Sequence, residues 1–409
     1  MTSADPDPGF RLRDVALSAY GPTVVSSTGF GAVTPILALR ARDLGADVAT
    51  AAVVVALLGL GMLVASLPAS AVVARIGERR ALVYAGVLES VAMAVGALAT
   101  SVAVLSAAVV VSGMTWTTFL MARQGFMIDV VPLSHRARSL SLLGGSHRVG
   151  VFVGPLIGAG LITLGGLTTV FWFAAASALA SAALAWTMPD VGTERRGAQR
   201  ERGHLSVWRV LVEHRRVLLT LGSVVMVISA SRSVRNGLLP LWADHVGLSA
   251  STTSLVFALA GLVDILFSYP GGWLMDRRGR TIVAVPVVLT VAVATLLLPL
   301  ATSTWSVAAA VALMAAGNGL GSGIVMVLGA DSAPEEGRAQ FLGGWRLCGD
   351  IGLSGGPFLV SAVAAVAPLA TACLAIGALG LAGTAWTARQ VGREDRRLAA
   401  ERGLSRPAR

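Results

Sequence analysis

Charge is what this chain has least of. Only 13% of its 409 residues are charged and 55% are hydrophobic, with a mean hydropathy of +0.75. A soluble domain carries roughly 25% charged residues, so this surface could not face water throughout. Lysine is missing altogether: all 32 basic residues are arginines. Its absence removes the lysine that a phosphate-binding loop requires, and reads as genomic base composition rather than function. Cysteine is nearly absent too. Cys348 and Cys373 both lie in apolar runs, which argues against a disulfide framework. No metal-ligand spacing and no nucleophile–base arrangement is found, so no enzyme, metal or cofactor is expected. The first 14 residues include Asp5, Asp7 and Asp14 and lack the basic n-region of a cleaved signal peptide. The first apolar run is therefore read as a retained helix.

What is present is a succession of long apolar runs. Helices α1–α12 are predicted at 15–38, 48–73, 81–99, 103–128, 139–163, 168–188, 217–241, 251–274, 281–301, 306–330, 341–365 and 367–387. The runs are continuously apolar rather than alternating, which favours helices over a barrel. The net charge of +10 does not point to nucleic acid, because the arginines are partitioned. With the N-terminus inside, 25 arginines fall on the inner side and only Arg40 and Arg42 on the outer side. That asymmetry predicts a cell-membrane protein with both termini cytoplasmic. Trp172, Trp186, Trp242, Trp273, Trp305 and Trp386 fall near helix ends, as an interfacial belt requires. The expected organisation is a tail at 1–14, a bundle at 15–188, a cytoplasmic linker at 189–216, a bundle at 217–388 and a tail at 389–409. The linker is arginine-rich and ends in an amphipathic segment, Val207–Val212. It reads as a basic face on the inner leaflet or as a regulatory contact.

One charged stretch stands out, Gly272-Trp-Leu-Met-Asp276-Arg277-Arg278-Gly279-Arg280, with four charges in nine residues. A weaker copy, Arg75-Ile-Gly77-Glu78-Arg79-Arg80, lies 202 residues earlier. The same offset of 202 relates Gly45 and Gly59 to Gly247 and Gly261, and Asp129, Pro132 and Arg136 to Asp331, Pro334 and Arg338. It also relates Gly150, Gly154 and Pro155 to Gly352, Gly356 and Pro357. The chain thus reads as two parallel six-helix halves, an all-α membrane protein of twelve transmembrane helices in two pseudo-symmetric bundles.

Three features carry a family resemblance. Gly272-x-Leu274-x-Asp276-Arg277-x-Gly279-Arg280 resembles the loop signature of the major facilitator superfamily. Gly150-x-x-x-Gly154-Pro155-x-x-Gly158 on α5 is similar to the motif of its antiporter branches. Pro132-x-x-x-Arg136 with Arg138 adds a weaker likeness. Two departures accompany them: Ala74 stands where the first copy of the signature would carry its acid, and Glu78 where it would carry a base. The resemblance implies that Asp276 meets the N-terminus of α5 as a cytoplasmic latch, with Arg277 and Arg280 at the headgroups and a lesser counterpart at Arg75 and Gly77. The bland reading of the same arginines is a topology signal. The resemblance also implies a substrate cavity lined by α1, α4, α7 and α10, with Thr28, Trp116, Arg232, Arg235, Asn236 and Asn318 as candidate contacts.

Other readings come from the residues themselves. Gly150, Gly154 and Gly158 share one helix face and admit a close neighbour, while Pro155 can bend the helix. Ionisable residues inside a membrane are costly and are site candidates. Asp264 is the leading proton-coupling candidate, followed by Glu89 and Asp350. Arg232 is expected near Asp264, and Arg346, four residues before Asp350, can pair with it. The expected function is secondary transport by alternating access, most simply proton-coupled efflux of a small organic compound by a monomer in the bilayer. A metabolite uniporter or symporter, and a transporter-like sensor or scaffold, are the alternatives.

Overall fold

The structure is a computed structural model that describes residues 12–131, 133–189, 207–334 and 338–404. The tail 1–11, Pro132, the linker residues 190–206 and the side chains of Asp129, Arg136, Arg138, Asp276 and Arg338 lie outside the described residues.

Among the described residues, eleven helices are long and apolar enough to cross a membrane. The longest, Leu142–Trp186, has 45 residues. At 1.5 Å per residue it would reach about 68 Å, more than twice the ~30 Å hydrocarbon core. It is broken at Gly165 and Gly166, the latter at φ 73°, a conformation that only glycine adopts without strain. The break divides it into α5 and α6 and gives the twelve predicted crossings. α1 (Leu12–Val33) continues through a 3-10 turn at Thr34–Ile36 into Leu37–Asp43. α2 is Val48–Ile76, α3 Glu78–Leu98 and α4 Val102–Val130. α7 is Arg215–His245, preceded by the short helix Val207–Glu213, and α8 is Ala250–Arg278. α9 is Thr281–Leu297, α11 is Arg338–Ala364 and α12 is Leu369–Leu404. α10 is interrupted, Thr304–Leu320 then Ile324–Ser332, at the glycine-rich step Gly321–Gly323. α12 runs well past the predicted end at 387. Residues 388–402 carry arginine, alanine, leucine and glutamate with a single glycine, Gly392, and no proline, so nothing stops the helix where the apolar run ends.

The internal repeat recurs in the caps. Asp47 accepts the Thr50 N–H at 2.7 Å at the start of α2, and Ser249, 202 residues on, accepts the Thr252 N–H at 3.1 Å at the start of α8. Hydrogen bonds from the Thr50 side chain and backbone hold the Asp47 carboxyl below the usual carboxylate range. Ser101 caps α4 and Ser303 caps α10, again 202 apart. Gly77 and Gly279 both have φ 91° and turn the chain into α3 and α9. Gly45 and Gly247, at φ 89° and 82°, do the same before α2 and α8.

Close packing repeats at the same offset. A methyl on Gly150 would lie 2.8 Å from the Val24 carbonyl, and one on Gly154 2.6 Å from the Ala32 nitrogen and against the Thr28 carbonyl. A methyl on Gly352 would strike the Met226 carbonyl, and one on Gly356 would lie 2.6 Å from the Ala230 carbonyl and 3.1 Å from the Val234 nitrogen. Val24, Thr28 and Ala32 become Met226, Ala230 and Val234 on adding 202. Thus α5 lies on α1 as α11 lies on α7, through glycine against backbone.

The described contacts divide the chain into two compact units. One comprises Met1–Ile36 with Leu60–Gly203, and the other Leu37–Gly59 with His204–Arg409. Within the second unit, Arg42 pairs with Asp244 at 3.4 Å and Ser361 Oγ donates to the Ala49 carbonyl at 2.9 Å. Large apolar side chains such as Val87, Leu88, Val91 and Val95 on α3 are exposed on one face, as lipid contact demands.

Candidate functional site

The first unit carries an aromatic set. Phe30 of α1 stacks on Trp116 of α4, with ring centroids 4.1 Å apart and planes 10° apart. Phe119, one turn along α4, stacks on the same indole at 5.7 Å. His147 of α5 is tilted against it at 5.7 Å and is held by Ser27 Oγ, 2.8 Å from its Nδ1. Thr28 turns its hydroxyl back onto the Val24 carbonyl at 2.8 Å. Nearby in sequence terms but on α3, Glu89 accepts hydrogen bonds from two hydroxyls of α4, Ser112 at 2.7 Å and Thr115. No arginine pairs with Glu89 among the described residues.

The second unit carries an ionic set. Asp264 of α8 faces Arg235 of α7, Nη1 to Oδ2 at 3.4 Å, with the two side chains only 15% and 19% exposed. Asn318 of α10 donates its amide to both carboxylate oxygens, at 2.9 and 3.0 Å. Arg232 donates to the Gly321 carbonyl at 2.5 Å. The expected partner of Asp264 was Arg232; the ion pair comes from Arg235, less than one turn further along α7 and nearly on the same face. Asn236 is half-buried on α7. Arg346 and Asp350 pair along α11 at 3.8 Å, as their spacing of four predicts.

The two sets occupy equivalent places. Phe30, Trp116 and Phe119 become Arg232, Asn318 and Gly321 on adding 202. One scaffold position therefore holds a ring stack in one repeat and a guanidinium bonded to a carbonyl in the other. Phe30 and Phe119 escaped the sequence reading, although the offset alone leads to them from Arg232 and Gly321.

The loop signature has partners that no local pattern announces. Gly279 ends α8, and Asp395 of α12 closes on it. Its carboxylate accepts the Arg280 N–H at 3.1 Å, the Thr281 N–H at 2.9 Å and the Thr281 hydroxyl at 2.6 Å. A methyl on Gly279 would lie 3.0 Å from that carboxylate, on a backbone at φ +91°. Glycine is thus required twice over. Asp395 caps α9 as an N-terminal residue would, from 115 residues away. Arg280 in turn reaches Asp331 through Nε and Nη2, both at 2.9 Å. The equivalent positions in the first repeat are Glu78 and Asp129, two acids in place of an ion pair. At the rim, Arg277 lies over the Trp273 ring at 4.4 Å and Arg79 over Trp186 at 5.4 Å. Replacing Asp395 with alanine is expected to destabilise the protein by about 0.5–2 kcal/mol, the worth of a helix cap. Thermal unfolding in detergent checks this, and an unchanged midpoint would show that water replaces the carboxylate without loss.

The sequence profile of the Major Facilitator Superfamily matches residues 23–231 and 221–408, nearly the whole chain. A chloramphenicol resistance protein of Streptomyces lividans is 29% identical over 247 residues, covering 60% of this chain and 62% of that protein. The likeness to this relative therefore spans less than two thirds of its length. Among solved structures, a peptide transporter POT superposes with a TM-score of 0.77 at 14% identity, over 97% of this chain and 99% of the other. A D-xylose-proton symporter superposes with a TM-score of 0.72 at 15% identity, over 92% and 98%. At those identities the likeness is one of fold. With the profile spanning both repeats, this multi-pass membrane protein belongs to the major facilitator superfamily.

Proposed function

We propose that the chain is a secondary transporter that exports a small organic compound in exchange for protons by alternating access. It acts as a monomer in the cell membrane with both termini cytoplasmic. The observation that carries the reading is the Asp264–Arg235–Asn318 cluster on α7, α8 and α10. A carboxylate inside a membrane helix is costly and is by default a functional candidate, and this one is placed among donors that hold it when charged. A proton arriving on Asp264 removes the negative charge, frees the Arg235 guanidinium and leaves Asn318 with a weaker acceptor. The cluster then differs between the loaded and unloaded states, which alternating access requires. Glu89 and Asp350 are the secondary proton candidates.

Substrate contact falls to the aromatic set, Phe30, Trp116 and Phe119, and to Arg232, Arg235, Asn236 and Asn318. Thr28 contributes a hydroxyl. Flat rings pack against the aromatic set through Phe30, its partly exposed ring, with Trp116 holding that ring in place, while the ionic set accepts polar substituents. The relative named for chloramphenicol resistance makes chloramphenicol, a ring with a polar chain, the first compound to test. A susceptible bacterial strain expressing the protein is expected to tolerate more of the drug and to accumulate less of it. Equal accumulation across a panel of aromatic compounds would contradict export.

The latch is the second element of the proposal. Asp276 closes the cytoplasmic side in one state, assisted by Arg277 and Arg280, with Arg75 and Gly77 as the weaker counterpart. Asp276→Asn is expected to slow transport severalfold while membrane insertion stays as in the wild type, since a carboxylate at a helix N-terminus contributes about 0.3–1 kcal/mol. Wild-type transport rates in that variant would remove the latch.

A further inference from the structure

A second polar feature of the second unit lies apart from both sets described above. A cavity of about 570 Å³ opens at the ends of three membrane spans: the start of α7, the end of α10 and the end of α12. These ends share the arginine-rich side of the chain. The volume falls in the range of small-ligand sites, roughly 300–1,000 Å³.

Its charges do not cancel. Of the two acids in the wall, Asp331 is taken by Arg280 at 2.9 Å and Glu394 faces Arg397 at 3.7 Å. Arg216 and Arg393 also line the cavity, and neither has an acidic partner among the described residues. Ser332 adds a hydroxyl oxygen buried in the wall, with no hydrogen-bond partner among the described residues. Two exposed guanidiniums thus line the cavity beside acids that already have arginine partners. Guanidinium groups recognise phosphate through paired N–H donors.

We propose that this cavity binds a phosphate-bearing anion, with Arg216 and Arg393 as its principal donors. Its place at the span ends admits either the headgroup of an anionic lipid or a free phosphate compound. The occupant would lie one residue from the loop signature. Asp331, in the wall, is the partner of Arg280, and Glu394 adjoins Asp395, the cap of α9. A bound anion competes with Asp331 for positive charge, so occupancy is felt at Gly279–Thr281.

The test uses the full-length protein in nanodiscs. Thermal unfolding is followed in pure phosphatidylcholine and in phosphatidylcholine with added phosphatidylglycerol, and inorganic phosphate is titrated into the pure phosphatidylcholine sample. Stabilisation by phosphatidylglycerol alone identifies a lipid headgroup. Stabilisation by inorganic phosphate identifies a soluble anion. In either case Arg216→Gln and Arg393→Gln are each expected to weaken the apparent affinity about tenfold, the worth of one charge-assisted hydrogen bond. Both side chains are exposed, so neither variant should disturb folding, and gel-filtration profiles check this. Arg80→Gln, another exposed arginine of the same side but in the first unit, should respond as the wild type does. The proposal is overturned if neither anion raises the unfolding midpoint, or if Arg80→Gln weakens the response as much as the cavity variants do.

Discussion

Asp264→Asn is expected to abolish proton-driven transport while leaving the protein in the membrane. Asparagine keeps the shape of the side chain but cannot take up a proton, and it meets Arg235 as a neutral acceptor. The lost charge-assisted bonding is worth about 1.5–3 kcal/mol, or roughly ten- to hundredfold in any rate that depends on it. Stability should fall as well. Arg235 is only 15% exposed, so removing its partner leaves a mostly buried cation unpaired. Breaking such a pair costs about 3–5 kcal/mol. The double variant Asp264→Asn with Arg235→Gln should recover most of that stability and none of the coupling. Thermal unfolding of the three variants separates the two effects. A single variant as stable as the wild type would show that the pair is solvated. A double variant that restores coupling would move the proton site elsewhere, with Glu89 next in line, a carboxylate held by the hydroxyls of Ser112 and Thr115 and with no arginine partner among the described residues.

The second large effect is steric. Gly154→Leu and Gly356→Leu should each prevent the assembly of a helix pair. At both positions the added Cβ alone would meet backbone atoms, the Ala32 nitrogen at 2.6 Å and the Ala230 carbonyl at 2.6 Å, and backbone cannot step aside as a side chain can. Overpacking of a core by a methylene or two costs about 1–3 kcal/mol, and a leucine against backbone stands at or above the top of that range. The expected readout is loss of the monodisperse species on gel filtration. Gly158→Ala is the matched control. Its Cβ would sit 3.4 Å from the Ala32 carbonyl, ordinary contact, and alanine is the better helix former. It should leave the elution profile unchanged. An unchanged elution profile for Gly154→Leu or Gly356→Leu would mean that the glycine face is not the packing face.

The fold was legible because the chain repeats itself at a fixed offset and because membrane crossings announce themselves by length and hydropathy. The offset of 202 reaches beyond sequence identity to φ angles at Gly77 and Gly279, to caps at Ser101 and Ser303, and to the backbone atoms that face Gly154 and Gly356. Those regularities follow from local chemistry: a turn that needs positive φ, a helix start that needs an acceptor, a close approach that forbids a side chain. Ionic partners were less legible. The choice between Arg232 and Arg235 depends on a shift of less than one turn along α7, which apolar patterning does not determine. Asp395 was invisible because its task depends on α12 continuing as a helix past the apolar run and returning to α9. The end of α12 was misplaced for the same reason: hydropathy marks where a membrane span stops, not where a helix does. The break between α5 and α6 rests on two adjacent glycines, Gly165 and Gly166, which fall in the predicted gap between 163 and 168.

The divergence of the two sets is what the repeat contributes to function. A duplicated scaffold offers two equivalent positions, and here one is filled with rings and the other with charge. Trp116 and Asn318 make the comparison directly, one stacked at 4.1 Å on Phe30 and the other bonded at 2.9 Å to Asp264. In the proposed function the rings of the first repeat contact substrate, while the charged set of the second both contacts substrate and carries Asp264, the leading proton site.

Flux of radiolabelled chloramphenicol into inverted membrane vesicles, with an imposed interior-acid pH gradient, tests that assignment most directly. Wild-type vesicles should accumulate the drug only while the gradient stands. Trp116→Ala should weaken the apparent affinity for the drug while keeping the gradient dependence, and Asp264→Asn should lose the gradient dependence. Accumulation that ignores the gradient in the wild type, or that keeps its gradient dependence in Asp264→Asn, would contradict the account.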